Sequence, residues 1–423
     1  MTPQRVRARQ PREADWLSVD AARALILSRI VEVGQETIPL DEARDRILAT
    51  DVASTIRHPA WDNSAMDGFA VRSEDIGGAA PESPVQLRVI EEVPAGSFPT
   101  RSLGPGEAIR VMTGGAVPAE ADGVTRLEHT EPGTTAGDVL VLSDADAGRN
   151  IRRKGEDLEV GDRPLSAGTL LRPAEIGVLA MLGQAEVPVF RRPKVGILAT
   201  GDELADFDDL ALVQAGQRIM NSNSYALAAQ VEECGAEPVP LGIARDNRES
   251  LSERLTASLG QDALITSAGL AVGDHDYVKE VLDDLGMELL FYRVTMRPGS
   301  PFTFGMLDSM PVFALPGNPV SAMVTFELLV RPALRKMMGL KIYDRPSRRV
   351  RLAEPVATRG RRTHFYRATL EPTESGGWLA RLTGPQGSGI LTSMSRADAL
   401  IEVPANSHLP AGAEVDAIVL RER

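Results

Sequence analysis

Carboxylates and glycine-rich turns recur where predicted strands end in the middle of the chain. Predicted strand 195–199 runs into Thr200-Gly201-Asp202-Glu203, and predicted strand 238–243 runs into Arg245-Asp246-Asn247. Predicted strand 263–266 runs into a glycine-containing segment that ends at Asp274-His275-Asp276. Ligands bind at the carboxyl ends of strands in an open parallel sheet, so one edge is expected to collect these side chains. Clustered carboxylates repel each other unless a cation joins them, and hard oxygen ligands suit Mg²⁺. The pattern favours a metal-assisted phosphate site.

A simpler interpretation is that each aspartate only caps the helix that follows it, because Asp is a favoured N-cap residue. Helix capping explains the aspartate of any single loop well, but it explains less well why each of these loops at one sheet edge carries an acid. The sequence contains no Gly-x-x-x-x-Gly-Lys-Ser/Thr loop, which argues against an ordinary P-loop nucleotidase. The five histidines show no metal-ligand spacing.

Two arginines, Arg293 and Arg297, are the candidate cations for an anionic substrate at this edge. Their spacing of four is even, so both would point to one face if the segment were a strand. Two solvated surface arginines would have the same spacing, and the residues alone leave both interpretations open.

The elements that would position these residues fall into four zones. Helices are predicted at 18–32 and 173–182, and short strands at 61–142 indicate a β-rich insertion. Strands alternate with helices of 10–12 residues over 192–340, which predicts a doubly wound parallel sheet. Short alternating strands over 348–423 predict a small barrel or sandwich. The predicted fold class is therefore multidomain α/β plus β.

Composition and charge argue against nucleic-acid-binding, membrane and disulfide-linked classes of protein. The chain has 423 residues, 46 Lys+Arg and 59 Asp+Glu, and a formal net charge of −13 argues against nucleic-acid or anionic-membrane binding. Its single cysteine, Cys234, excludes an internal disulfide, fits a reducing cytoplasm and is expected to be a small buried apolar group. No apolar run approaches the length of a membrane span. The arginine-containing N-terminus lacks the apolar stretch of a secretory signal and is expected to be a short disordered tail.

Six motifs, taken together and in order, resemble the molybdopterin molybdenumtransferase family, which is related to the E domain of gephyrin. The resemblance covers nearly the whole chain after the basic tail. The motifs are Ser64-Ala65-Met66-Asp67-Gly68-Phe69-Ala70, Arg110-Val111-Met112-Thr113-Gly114, Arg153-Lys154-Gly155-Glu156-Asp157, Thr200-Gly201-Asp202-Glu203-Leu204, Met296-Arg297-Pro298-Gly299 and Leu315-Pro316-Gly317-Asn318-Pro319-Val320-Ser321.

The resemblance implies four subdomains after a basic tail at residues 1–14. They are an elongated discontinuous domain (15–60 and 151–190), an inserted β-rich domain (61–150), an α/β molybdopterin-binding domain (191–340) and a C-terminal β-barrel (341–423). It implies a cytoplasmic homodimer whose clefts use residues from both chains. The implied reaction inserts molybdate into adenylylated molybdopterin, with Mg²⁺ as cofactor, and releases AMP. Molybdopterin adenylyltransferase and molybdoenzyme apo-proteins or their chaperones are the candidate partners.

Functional residues are carried over from the family by motif. The resemblance implies catalytic roles for Asp67, Thr113, Asp157, Glu203, Asp246 and Asp276. Of these, we choose the strand-end acids Glu203, Asp246 and Asp276 as the candidate metal ligands. It implies substrate binding by Arg293, Arg297, Pro298, Ser300, Pro316, Pro319, Arg362 and Ser388.

The sequence departs from the family pattern at three places. The segment 269–273 lacks at least one glycine and the serine of the usual loop, Ser300 stands where a lysine is usual, and arginines stand at 293 and 297 where lysines are common. An active molybdenumtransferase is the leading hypothesis. The alternatives are a non-catalytic or diverged pterin-binding paralogue, a tungstate-preferring insertase and, more weakly, another nucleotide-linked transferase.

Overall fold

The structure is a computed structural model that describes residues 16–268, 277–374 and 376–421. The chain divides into two compact units. The major unit takes its described residues from the chain up to Thr50, from Ala167–Pro173 and from Glu186 onward, and the minor unit comprises Asp51–Ser166 and Ala174–Ala185. The finer division into four subdomains stays a prediction.

The described chain begins with a capped helix, α1 (Val19–Arg29). The Ser18 side chain accepts a hydrogen bond from the amide of Ala21 at 3.1 Å, as an N-cap residue does. Ala22 and Ile26, one turn apart, are fully buried in the core of the major unit. The helix predicted at 18–32 is confirmed, and it ends at Arg29. Strand β1 (Gln35–Pro39) follows and pairs with a strand that begins at Glu186.

The minor unit is built on a six-stranded mixed sheet with a small apolar core on each face. Its strands are β2 (Asn63–Ser64), β3 (Gly68–Val71), β4 (Val85–Val93), β5 (Glu107–Val111), β6 (Gly123–Arg126), β7 (Thr130–Pro132), β8 (Asp138–Val141) and β9 (Ile151–Arg152). The sheet order is β6-β3-β5-β4-β8-β7, and β2 pairs with β9 beside it. Helix α2 (Pro173–Met181) then leads to β10 (Glu186–Phe190), the partner of β1. The β-rich character predicted for 61–142 is confirmed.

The α/β part of the major unit is doubly wound. Its strands are β11 (Lys194–Thr200), β12 (Leu204–Ala205), β13 (Ile219–Met220), β14 (Glu237–Ala244), β15 (Ala263–Ser267), β16 (Glu288–Tyr292), β17 (Met296–Arg297), β18 (Thr303–Leu307) and β19 (Met310–Leu315). Its helices are α3 (Leu210–Gln214), α4 (Ser222–Cys234), α5 (Arg248–Ala257), α6 (Tyr277–Asp284), α7 (Pro319–Thr325), a π-helical turn (Phe326–Val330) and α8 (Arg331–Met337).

The sheet order is β14-β11-β15-β19-β18-β16, and the first four strands run parallel. Residues of α1, α4, α7 and α8 form the core on one face of the sheet, and residues of α5 and α6 form the core on the other. Alternate residues of β11 pack into the cores on the two faces of the sheet, Ile197 on one face and Leu198 on the other. Because both faces are covered, the strand is apolar throughout. The predicted parallel sheet is confirmed, and the antiparallel strands β16 and β18 extend it.

The C-terminal part of the major unit is a closed five-stranded barrel. Its elements are β20 (Ser347–Leu352), β21 (Val356–Ala357), β22 (Thr363–Pro372), β23 (Trp378–Leu382), α9 (Leu391–Ser395), β24 (Ala399–Val403), β25 (His408–Leu409) and β26 (Glu414–Val419). The order β22-β23-β20-β26-β24 closes because β22 also pairs with β24. The short strand β17 pairs in parallel with β22, and Arg297 lies opposite His364. An arginine of the α/β part therefore lies next to a strand of the barrel.

Cys234 is 5% exposed and lies in the core, as its sequence context predicts. Burial raises the pKa of its thiol to about 12, so this group is an inert apolar side chain at neutral pH. Within residues 16–268, 277–374 and 376–421, no helix combines the length and the apolar character needed to cross a bilayer.

Candidate active site

A cavity of about 420 Å³ opens where β11, β15 and β19 end, and we call it the strand-end pocket. Its wall includes the last residue of each of these strands, Thr200, Ser267 and Leu315. Neighbouring parallel strands bring their carboxyl ends together, which is why segments far apart in sequence meet here. A cavity therefore lies at the sheet edge where the sequence predicts a site.

Glu203 supplies a carboxylate to the strand-end pocket. It follows Gly201, whose φ of 144° is in the region that favours glycine. A Cβ at position 201 would overlap the Glu203 carboxylate, so the glycine allows the acid to fold back over the end of β11. The Thr200 hydroxyl donates to the carbonyl of Ser267 at 3.5 Å and ties the ends of β11 and β15 together.

The motif that follows β19 contributes a turn to the wall of the strand-end pocket. Pro316, Gly317 and Asn318 line the cavity, and Pro319 occupies the first turn of α7. The amide of Asn223 donates to the carbonyl of Gly317 at 2.8 Å, which fixes the turn against α4. Carboxylate, hydroxyl and amide oxygens together make a wall suited to a polar, phosphate-bearing ligand and its cation.

The other predicted metal ligands are arranged differently from Glu203. The amide of Asp202 donates to Oδ2 of Asp246 at 3.2 Å, and the amide of Asp246 donates to Oδ1 of Asp202 at 3.4 Å. This reciprocal pair links the loops after β11 and β14. Asp276 lies outside the described residues, as does the altered loop 269–273. Among the residues that are described, no three His, Cys, Asp or Glu side chains are grouped as a metal site.

Arg293 and Arg297 do not share one strand face. Arg293 has a φ of 73°, so the chain turns there, and only Met296–Arg297 forms a strand. The interpretation of 293–297 as one strand is wrong, because a left-handed residue interrupts it. The Arg293 guanidinium stacks 5.0 Å from the ring centre of Trp16 and 5.2 Å from that of Tyr292. Arg362 stacks on Trp16 as well, also at 5.0 Å.

Arg297 lines a second cavity of about 480 Å³, which we call the barrel pocket. Pro298, Arg359, His364, Tyr366 and Arg367 contribute to its wall. Arg367 is 1% exposed, and its guanidinium donates to the Ser393 hydroxyl and to the Gly387 carbonyl, each at 3.1 Å. Burial lowers the pKa of Arg367 to about 10, which leaves it charged at neutral pH. A concave site with several arginines suits a small oxyanion.

Sequence reasoning missed Arg359, His364 and Arg367. A signal was present in the cluster Arg359-Gly360-Arg361-Arg362 and in the strand His364-Phe365-Tyr366-Arg367, which together place many cations near one barrel strand.

Two other predicted binding residues make hydrogen bonds within the major unit. Ser300 is 7% exposed, and its hydroxyl donates to the Val294 carbonyl at 2.8 Å. The carbonyl of Ser388 accepts from the amide of Val320 at 3.1 Å, at the start of α7.

The remaining predicted catalytic residues belong to the minor unit. The backbone amide and the hydroxyl of Thr113 both donate hydrogen bonds to the Asp67 carboxylate. These hydrogen bonds, the one from the amide first, lower the pKa of the Asp67 carboxyl. The amide of Asp157 donates to the carbonyl of His58 at 3.1 Å. Nearby in the same unit, Arg153 and the Lys154 amide both donate to Asp62, at 2.7 and 2.8 Å.

Three family models match consecutive parts of the chain. They are described as the MoeA N-terminal region (domain I and II), over residues 17–183, a probable molybdopterin binding domain, over 196–336, and the MoeA C-terminal region (domain IV), over 349–420.

The chain is also similar to individual relatives over most of its length. It is 39% identical over 374 residues to a molybdopterin molybdenumtransferase of Nostoc sp., covering 87% of this chain and 85% of that one. It is 39% identical to molybdopterin molybdenumtransferase 2 of Mycobacterium tuberculosis, covering 87% and 90%. Its fold matches the crystal structure of the molybdopterin biosynthesis moeA protein from Pyrococcus horikoshii with a TM-score of 0.83 and 32% identity, covering 96% and 100%. The chain therefore belongs to the molybdopterin molybdenumtransferase family.

Proposed function

We propose that this chain is a transferase of molybdenum cofactor biosynthesis, which inserts molybdate into adenylylated molybdopterin and releases AMP. The observation that carries the proposal is the strand-end pocket, where Glu203 faces a cavity walled by strand ends and the Pro316-Gly317-Asn318 turn. The matching relatives are named as enzymes, which favours this function over a non-catalytic pterin-binding paralogue.

We propose that the strand-end pocket takes the pyrophosphate-linked part of the substrate together with Mg²⁺. The donor set fits this ion, because Mg²⁺ is usually held by one or two carboxylates, water and substrate phosphates rather than by a complete protein cage. Glu203 would hold the ion, with Asp246 and Asp276 as the further proposed ligands. When bound, the ion would neutralise phosphate charge and activate water. The protein itself contributes the exposed turn Gly317-Asn318 before α7, whose polar groups orient the substrate.

We assign molybdate binding to the barrel pocket, with Arg297 as the principal ligand and Pro298 shaping the wall. Arg359 and Arg367 add positive charge, which an acidic protein needs wherever it binds an anion. Arg362 influences the same pocket, because its charge acts on His364. The carry-over of Arg293, Ser300 and Ser388 as binding residues stays a prediction, as does any preference between molybdate and tungstate.

The proposal includes catalytic roles for Asp67, Thr113 and Asp157 of the minor unit. Asp67 is suited to act as an ionised carboxylate, since Thr113 stabilises its charged form. On the basis of the family membership, we also propose that the protein is a cytoplasmic homodimer. Its proposed partners are molybdopterin adenylyltransferase and molybdoenzyme apo-proteins or their chaperones.

The test supplies purified protein with adenylylated molybdopterin, Mg²⁺ and molybdate, and follows AMP release and cofactor transfer to an apo-molybdoenzyme. We expect release of AMP and activation of the apo-enzyme, both dependent on molybdate. Omission of molybdate is the matched control. Binding of the adenylylated substrate without turnover would contradict the proposed function.

A further inference from the structure

Among the described residues that line the barrel pocket, one is a histidine, His364, the residue type whose ordinary pKa lies closest to neutral pH. This residue is the second in β22, where it lies opposite Arg297 of β17 on one side and Val403 of β24 on the other. His364 lines the cavity. None of the family motifs includes it, so its function has to be argued from its contacts.

Two hydrogen bonds of the Tyr366 hydroxyl favour one tautomer of His364. The Tyr366 hydroxyl donates its single hydrogen to the carbonyl oxygen of Ala357 at 3.2 Å. The same hydroxyl oxygen lies 3.1 Å from Nδ1 of His364, and having used its hydrogen it can only accept there. We therefore assign the N–H to Nδ1, because this tautomer satisfies both contacts of the Tyr366 hydroxyl. In the neutral ring this leaves Nε2 with a lone pair and no hydrogen.

The charges that face His364 are almost all positive. Arg297 comes from β17, Arg362 precedes β22, and Arg359 and Arg367 share the cavity wall. Burial, followed by the charges of Arg297 and Arg362, lowers the pKa of His364, which favours the neutral ring at neutral pH. On the neighbouring strand β24, Glu402 has a raised pKa, caused by burial and by Asp20 and Asp416.

An oxyanion entering the barrel pocket reverses this balance. It cancels the field of the arginines, and it meets a lone pair at Nε2 unless that nitrogen takes up a proton. Once protonated, Nε2 becomes a charge-assisted donor to an anion oxygen, while Nδ1 keeps its bond to Tyr366. At pH values between the free and the bound pKa of His364, protonation is therefore favourable only when the anion is present.

We propose that His364 is a further ligand of the oxyanion in the barrel pocket and binds it as the imidazolium, so that molybdate binding takes up a proton from solvent at Nε2. The inference rests on the proposed function, in that it takes molybdate as the ligand of this pocket. It makes His364 a residue that tunes the affinity for the anion to pH.

The test is calorimetric titration of the full-length protein with molybdate in buffers of different ionisation enthalpy. We expect an uptake that approaches about one proton per pocket at pH values between the free and bound pKa of His364. Over the same range the affinity falls by up to about tenfold for each unit of pH increase. Nitrogen NMR of the free protein should show the neutral ring of His364 with its hydrogen on Nδ1.

Two variants separate the role of His364 from a general effect on the fold. His364→Gln offers an amide donor that does not titrate, so binding should persist with no proton uptake and a flat pH profile. Tyr366→Phe removes the hydroxyl that holds the hydrogen on Nδ1. A neutral His364 could then donate from Nε2, and the proton uptake on molybdate binding should decrease. His408→Gln alters an exposed histidine of the same barrel and should leave the uptake as it is in the wild type.

The outcomes distinguish the two levels of the proposal. Molybdate binding without proton uptake, or uptake that persists in His364→Gln, would overturn the role of His364 and leave the proposed function standing. A wild-type protein that binds adenylylated molybdopterin but no molybdate would overturn the assignment of the barrel pocket, and the inference about His364 with it.

Discussion

Thr113 donates two hydrogen bonds to the same oxygen of Asp67, from its backbone amide at 2.7 Å and from its hydroxyl at 2.8 Å. Asp67 precedes β3 and Thr113 follows β5, and these two strands pair in the sheet of the minor unit. The pairing explains why two motifs separated by more than forty residues converge on one carboxylate. The Asp67 pKa is lowered as a result, and the group is ionised at neutral pH.

Thr113→Val should raise the pKa of Asp67, because it removes the hydroxyl donor and keeps the amide. A carboxyl whose folded-state pKa is depressed contributes stability above its unfolded pKa, and loses it as the pH falls through the folded value. The variant should therefore be less stable than the wild type at neutral pH, and the difference should vanish in acid. Carboxyl NMR titration and urea unfolding at several pH values measure the two effects.

Thr134→Val is the matched control for Thr113→Val, since the Thr134 hydroxyl donates to the neutral amide of Gln86 in the same unit. It should leave the pKa of Asp67 unchanged. An equal pKa for Asp67 in Thr113→Val and in the wild type would contradict the contribution of the Thr113 hydroxyl hydrogen bond.

Glu203→Ala should lower turnover by at least about a hundredfold, the scale of removing one preorganised polar group from an active site. Glu203 is exposed at the strand-end pocket, so the free energy of unfolding should change by no more than about 0.5 kcal/mol. AMP release as a function of Mg²⁺ concentration measures the effect. Glu232→Ala, on the exposed side of α4, should behave as the wild type. Unchanged rates in Glu203→Ala would remove its proposed role.

Local patterns predicted much of the α/β part. The apolar run of β11 is a local signal, and this strand lies close to its predicted position at 195–199. Arg293 shows where local patterns fail, because nothing in its residue type announces a φ of 73°. The barrel pocket was missed for a different reason. It exists because β22 closes the barrel with β24 and also pairs with β17, and such long-range pairing has no local signature.

Glu327→Ala should destabilise the major unit by about 3–5 kcal/mol, the usual cost of removing one partner from a buried ion pair. Glu327 accepts from Arg345 and from Gln230, and only 4% of its side chain is exposed. Burial alone would lower the pKa of Arg345, but the hydrogen bond and charge of Glu327 raise it, so the pairing outweighs desolvation. Chemical denaturation measures the loss.

Asp416→Ala is the control for Glu327→Ala, because its partner Arg349 is exposed and such surface pairs contribute about 1 kcal/mol or less. Comparable losses in the two variants would contradict the view that burial of the Glu327 cluster determines its contribution.

Arg297→Ala and Arg293→Ala should affect different properties, although spacing alone treats the two arginines as a pair. Arg297 lines the barrel pocket, so its loss should weaken molybdate binding by about ten- to a hundredfold, the range of a charge-assisted hydrogen bond worth about 1.5–3 kcal/mol. Arg293 instead stacks on Trp16 and Tyr292, so its loss should cost about 1–2 kcal/mol of unfolding free energy, from two cation–π contacts, and change the affinity less. Calorimetric titration with molybdate, together with urea unfolding monitored by tryptophan fluorescence, measures both. If Arg293 binds the anion as the motif implies, both variants would lose affinity alike; if stacking is its main function, only Arg297→Ala would.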